Sequence, residues 1–226
     1  MSTETAQAAA KPAEGLFSKK NRALIVDPLN DNNPITVQVL GICSALAITV
    51  KMSNAFVMSL SVMAVLVLGN MIISALRNVI PGRIRIIAQL VIAAGLVTLV
   101  DIVLKAYVYD VAKQVGVYVG LIITNCIIMG RFEAFAMGNK PGPSALDGIG
   151  NSLGYAWILV VVAFFRELFG SGTLMGIRII PESIYATEGG FYFNNNMMIL
   201  PPMALVIVGI IIWIQRARNT KLIETA

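Results

Sequence analysis

The chain has 226 residues, of which 57% are apolar and 13% charged, about half the charge of an ordinary soluble domain. With so few solvated groups and a mean hydropathy of +0.79, it cannot cover its own surface in water, which excludes a disordered chain. The net charge of +5 fits basic residues sorted onto one membrane face better than nucleic-acid binding. Histidine is absent, which removes the commonest catalytic base and most zinc and haem sites.

Met1–Asn33 carries Lys11, Lys19, Lys20 and Arg22 among Ala, Ser, Thr and Glu. It has no apolar run of signal-peptide length, and reads as a polar cytoplasmic tail. Beyond it, runs free of Asp, Glu, Lys and Arg and close to the ~20 residues that cross a bilayer core give six candidate spans. They are Pro34–Val50, Met52–Leu76, Ile86–Val100 (to Leu104 if Asp101 lies inside), Gln114–Gly130, Gly148–Phe165 and Met197–Ile214. Backbone polar groups must be satisfied internally in lipid, so each is expected to be helical, and none alternates as a barrel strand would. The expected fold is all-α: a six-helix membrane domain over residues 34–216, then a short cytoplasmic tail, 217–226.

With six spans, Lys51, Lys105, Lys113, Arg166 and Arg178 fall on one side, and the other twelve of the 17 basic residues on the opposite side. That asymmetry places both termini in the cytoplasm.

The first and fourth spans are the weakest, and they look alike. Each is short, each holds one of the two cysteines, Cys43 and Cys126, and each has small residues four apart, Gly41 with Ala45 and Gly116 with Gly120. Such spacing admits a closely packed helix. Asn54-Ala55-Phe56 and Glu133-Ala134-Phe135 follow the two cysteines. Each half then has a long apolar run ending in an arginine, Arg77 and Arg166. Two halves, 34–108 and 114–216, each of three spans, must be inverted relative to one another. Inverted repeats with short or interrupted helices place their functional site near the bilayer midplane.

A lone membrane cysteine is ordinarily a small inert hydrophobe; two on matching short spans invite a second reading. They could form a disulfide or bind a soft metal. A 2Fe–2S cluster takes four cysteine ligands, so this chain would need a partner, or a second copy, to supply two more. Asp101 is the acid placed deepest in an apolar run. It is a candidate for an ion path, with an i, i+4 pair to Lys105 as the alternative. Lys140-Pro141-Gly142-Pro143 reads as a loop. Glu133 with Arg131, and Glu167 with Arg166, read as interfacial residues or partners of backbone at broken helices. No P-loop, dinucleotide fingerprint or hydrolytic triad is present.

Several stretches carry a resemblance: Asn33-Pro34 through Gly41-Ile42-Cys43-Ser44-Ala45-Leu46-Ala47, Leu99-Val100-Asp101 with Leu104-Lys105-Ala106-Tyr107, Thr124-Asn125-Cys126 with Gly130-Arg131, and Arg166-Glu167-Leu168-Phe169-Gly170-Ser171-Gly172. Over residues 33–215 the chain resembles the membrane-subunit family of the sodium-translocating NADH:quinone oxidoreductases (Na+-NQR), on the D-type side. The E-type component of the Rnf complex belongs to the same family, but tends to have Cys-Pro where this chain has Cys43-Ser44.

The resemblance implies a component without catalysis of its own in a bacterial inner-membrane translocase that couples NADH oxidation by ubiquinone to sodium export. It implies that Cys43 and Cys126 are iron ligands of a 2Fe–2S cluster shared with the homologous, inverted E-type component. The A, B, C and F components would be the further partners, and FAD, FMN and riboflavin would sit outside this chain. If both cysteines reach the midplane, the fourth helix is expected to break soon after Cys126. An Rnf-type electron-transport component, or a secondary transporter with inert cysteines, are the alternatives.

Overall fold

A computed structural model describes residues 24–29, 32–107, 120–175, 177–178 and 199–218, with Lys113, Gly116 and Tyr118. The helices, in chain order, are α1 (Ile42–Ile48), α2 (Met52–Leu76), α3 (Arg85–Tyr107), α4 (Cys126–Arg131), α5 (Pro141–Ser171) and α6 (Pro201–Arg218). A π-helical turn, Phe132–Ala136, continues α4. Two-residue strands, β1 (Thr173–Leu174) and β2 (Ile177–Arg178), pair after α5. Among the described residues, four helices are long and apolar enough to cross a membrane: Met52–Leu76, Gly82–Tyr107, Pro141–Ser171 and Pro201–Arg218.

The long spans follow the charge-free runs. α2 has the expected bounds. α5 begins earlier than Gly148 because Pro141, expected in a loop, occupies its first turn, where a missing N–H costs nothing. It ends at Gly172, whose φ of 65° makes the left-handed cap and whose N–H donates to Leu168 O. α6 likewise starts at Pro201-Pro202 and closes on Arg216 and Arg218, cations at the negative end of its dipole.

The first run, Pro34–Val50, is not one helix. Only Ile42–Ile48 is α-helical, about 10 Å at 1.5 Å per residue. Non-helical backbone at membrane depth is tolerated only inside protein, and here it is buried: Asn33, Ile35 and Thr36 are at most 1% exposed. Asn33 satisfies the turn, its Oδ1 accepting from the Ile35 and Thr36 amides and its Nδ2 donating to Gly154 O at 3.1 Å. Val39 has φ 59°, an outlier for a β-branched residue, and Gly41 at φ 84° completes the reversal into α1.

The tail expected to end at Asn33 also shortens. Residues 24–29 lie against α5, where Gly150 and Gly154 leave room for backbone. A Cβ on Gly150 would fall 2.9 Å from Ile25 Cα, and one on Gly154 3.2 Å from the Pro28 carbonyl carbon. Residues 1–23 are outside the described residues, as is the C-terminal tail from 219.

α2 and α5 form the centre of the molecule and run antiparallel. The α5 start meets the α2 end, with Asn70 Nδ2 donating to Ser144 O at 3.0 Å and Ser74 Oγ donating to Asn139 O. The α2 start meets the α5 end, with the Met52 amide donating to Glu167 Oε2 at 2.6 Å. Buried Met58, Val62, Val65, Leu66, Tyr155, Leu159 and Val162 fill the space between and beside them. The outer helices expose apolar side chains, among them Ile87, Val91, Leu99 and Val103 of α3 and Leu205, Val206, Ile210 and Trp213 of α6. Such a surface suits lipid or other membrane helices.

Candidate functional site

The fourth run breaks at its cysteine, immediately before it and not after. Residues 120–123 are helical, Thr124 turns, and Asn125 is extended at φ −68°, ψ 122° as the N-cap of α4, its side chain accepting from the Ile127 amide. Asparagine is among the best residues for that position, because its short amide reaches back to the free N–H groups of the first turn. Cys126 is then the first residue of α4, and Cys43 the second of α1. Both thiols are free and exposed.

The two helix starts lie side by side. Ser44, the residue after Cys43, accepts from Nδ2 of Asn125, the residue before Cys126, at 3.3 Å. Ser44 also donates to Gly41 O at 2.7 Å and bonds Tyr155 Oη at 2.6 Å. A Cβ on Gly41 would sit 3.0 Å from the Tyr155 ring and 3.5 Å from Asn125 Oδ1. Tyr155 stands near the middle of the 31-residue α5, so the junction of the short helices lies about halfway along the longest helix. The small-residue expectation thus holds at Gly41 and the buried Ala45, whereas Gly116 and Gly120 face open space.

From this junction the short helices diverge. α1 runs toward the α5 end. There buried Arg166, 1% exposed, donates to Leu46 O at 3.1 Å and Thr49 Oγ1 at 2.6 Å, and to Ile199 O and Leu200 O just before α6 at 2.6 and 3.3 Å. Helix C-termini leave four carbonyls unpaired, and Arg166 supplies donors for that end, the backbone role anticipated for it. α4 runs the other way, toward the α5 start. Arg131 pairs there with Asp147, its Nε donating to Oδ2 at 3.0 Å and its NH2 group to Oδ1, and lies 5.4 Å from the Phe135 ring centre. Glu133 is tied to Arg85 and, at 2.9 Å, to Gln89 Nε2 of α3, not to Arg131. Phe132 lies against Gly69 of α2.

Asp101 is bonded to Lys105 at 2.6 Å, one helical turn away on α3. It stands on a different element from the cysteine junction. Three residues of the site were not singled out by sequence reasoning: Tyr155, Asp147 and Gln89. The available signal for the first two was a polar tip within or bordering an apolar run, which needs a buried partner.

These features define a polytopic helical membrane protein in which two interrupted helices present a cysteine each at a shared junction. Residues 21–212 match the Rnf-Nqr family, described as Rnf-Nqr subunit, membrane protein, and the chain belongs to that family. It is 52% identical over 207 residues to the D-type component of the Na(+)-translocating NADH-quinone reductase of Photobacterium profundum, covering 92% of this chain and 97% of that one. It is 53% identical over 203 residues to the D-type component of the same enzyme of Aeromonas hydrophila subsp. hydrophila, covering 90% and 95%.

Proposed function

We propose that the chain is the D-type membrane component of a sodium-translocating NADH:quinone oxidoreductase. In this reading Cys43 and Cys126 supply two of the four ligands of an intramembrane 2Fe–2S cluster, and a homologous, inverted E-type component supplies the other two. The observation that carries the reading is the junction: two short helices begin side by side with a free cysteine in each first turn. Thiolates are the donors that iron–sulfur clusters take. Exposed thiols can reach a second chain. When bound, such a cluster supplies one-electron transfer. The residues of this chain hold the sulfurs, cap the broken helices and keep irregular backbone inside protein.

The element order supports an inverted duplication of residues 34–108 and 114–216. A short helix, a long helix and a third helix occur twice; α1 is held at its far end by Arg166 of the second half, and the π-helical turn that continues α4 is tied through Glu133 to Arg85 and Gln89 of the first half. In this arrangement the first stretch crosses as buried turns followed by α1 and the fourth as two helical pieces, giving six spans with both termini in the cytoplasm of a bacterial inner membrane. The FAD, FMN and riboflavin of such a complex would lie in its A, B, C and F components.

In the purified complex, Cys43→Ala is expected to remove two irons and two acid-labile sulfides per complex, together with one component of the reduced paramagnetic resonance spectrum. Quinone reduction should stop. Near-normal turnover with full iron would overturn the ligand role and favour a transporter with inert thiols; a complex that reduces ferredoxin in place of quinone would point to the Rnf type.

Asp101 is proposed for the ion path. Its partner Lys105 has a side chain 57% exposed, against 21% for Asp101. Asp101→Asn is expected to alter the sodium dependence of turnover, and an unchanged dependence would reduce the residue to its ion pair.

A further inference from the structure

A third side chain, Tyr155, meets the bond between the two short helices. Ser44 Oγ donates to Gly41 O at 2.7 Å and accepts from Asn125 Nδ2 at 3.3 Å. It also shares a hydrogen bond with Tyr155 Oη at 2.6 Å, in which either hydroxyl can be the donor. Tyr155 is fully buried. For packing alone, phenylalanine would fill the same place against Gly41 without the cost of burying a hydroxyl. The hydroxyl instead bonds the residue that follows Cys43, which in turn accepts from the residue that precedes Cys126.

We propose that Tyr155 is a positioning residue for the metal site: its hydroxyl, acting through Ser44, sets the Cys43 turn against the Cys126 helix start and so fixes the separation of the two sulfurs. The proposal rests on the reading of the cysteines as iron ligands. Groups one bond removed from metal ligands orient them, and their loss commonly costs about 10- to 100-fold in metal affinity or activity. Asn125 caps α4 whether or not it meets Ser44. The Tyr155 hydroxyl bonds at the junction and caps neither helix, so its removal separates sulfur placement from helix capping.

The test uses the intact complex carrying Tyr155→Phe, Ser44→Ala, or both. The readouts are bound iron and the resonance component that Cys43→Ala removes. Each single variant is expected to shift the g-values of that component or to lower its occupancy about 10-fold. Tyr155→Phe should add little to Ser44→Ala, because Ser44→Ala already removes the bond that Tyr155→Phe deletes. A packing role for Tyr155 would leave g-values and iron unchanged in Tyr155→Phe, since the ring remains; that result overturns the proposal. If the Tyr155→Phe complex fails to assemble, Ser44→Ala is compared with Asn125→Asp, which keeps the cap of α4 but cannot donate to Ser44: an unchanged signal in Ser44→Ala overturns the proposal, and a shift in Ser44→Ala larger than in Asn125→Asp supports it. If Cys43→Ala itself leaves the spectrum and iron intact, the ligand reading fails, and the proposal fails with it by a separate measurement.

Discussion

Arg166→Met should cost about 3–5 kcal/mol and leave little assembled complex. The guanidinium is 1% exposed and donates to Leu46 O, Thr49 Oγ1, Ile199 O and Leu200 O. A methionine fills the volume but donates nothing, and each buried acceptor stripped of its partner costs about 1–3 kcal/mol. The loss falls on three elements together, because these oxygens belong to the end of α1, the turn into α2 and the approach to α6. Arg166→Lys should be intermediate: an ammonium keeps the charge but lacks the planar fork that reaches two pairs of oxygens. Thermal unfolding of the detergent-solubilised complex checks this, with a fall of roughly 10 °C for Met and a smaller one for Lys. Equal midpoints for wild type and Met would show that these bonds do not hold the helix ends.

Where helices are long and free of charge, the sequence is read correctly because one physical rule dominates. α2 runs from Met52 to Leu76 between Lys51 and Arg77, and nothing in it competes with spanning. The first and fourth runs were legible as weak, but the break of the first was not placed and that of the fourth, expected after Cys126, falls before it. At Asn125 the hydropathy stays high, and what ends the helix is the capping preference of a single amide. At Val39 the reversal needs a left-handed residue that sequence rules disfavour, and it is held by contacts far away in the chain. The docking of residues 24–29 depends on Gly150 and Gly154, more than 100 positions downstream, so a local reading sees only a polar tail. The same distance hid the true partner of Glu133: Arg85 is 48 residues earlier, and proximity in sequence favoured Arg131. The cysteines were found by their placement on matching spans. Their neighbour Tyr155 was not, because one hydroxyl scarcely changes an apolar run.

Arg131→Met is expected to be as damaging as the loss of Arg166, for a different reason. Asp147 projects from α5 with a side chain 3% exposed, and Arg131 of α4 is 14% exposed. Asn151 Nδ2 also donates to Asp147 Oδ1, at 3.0 Å, but a neutral amide does not replace a cation. Removing one partner of a buried pair leaves an uncompensated charge and costs about 3–5 kcal/mol. Arg131 is the last residue of α4 and Cys126 its first, so the pair anchors the far end of the helix that carries the cysteine. Asp147→Asn should therefore also weaken assembly, since it strands the guanidinium. The double variant Arg131→Met with Asp147→Leu buries no charge at all, and apolar replacement of a buried pair is often neutral or stabilising. Assembly is expected to recover in the double variant to well above either single one, giving a large coupling energy in the cycle. Additive losses would mean that the two side chains act independently. Recovery of assembly and of the resonance signal, without recovery of quinone reduction, would assign the charges themselves a part in turnover beyond holding α4 in place.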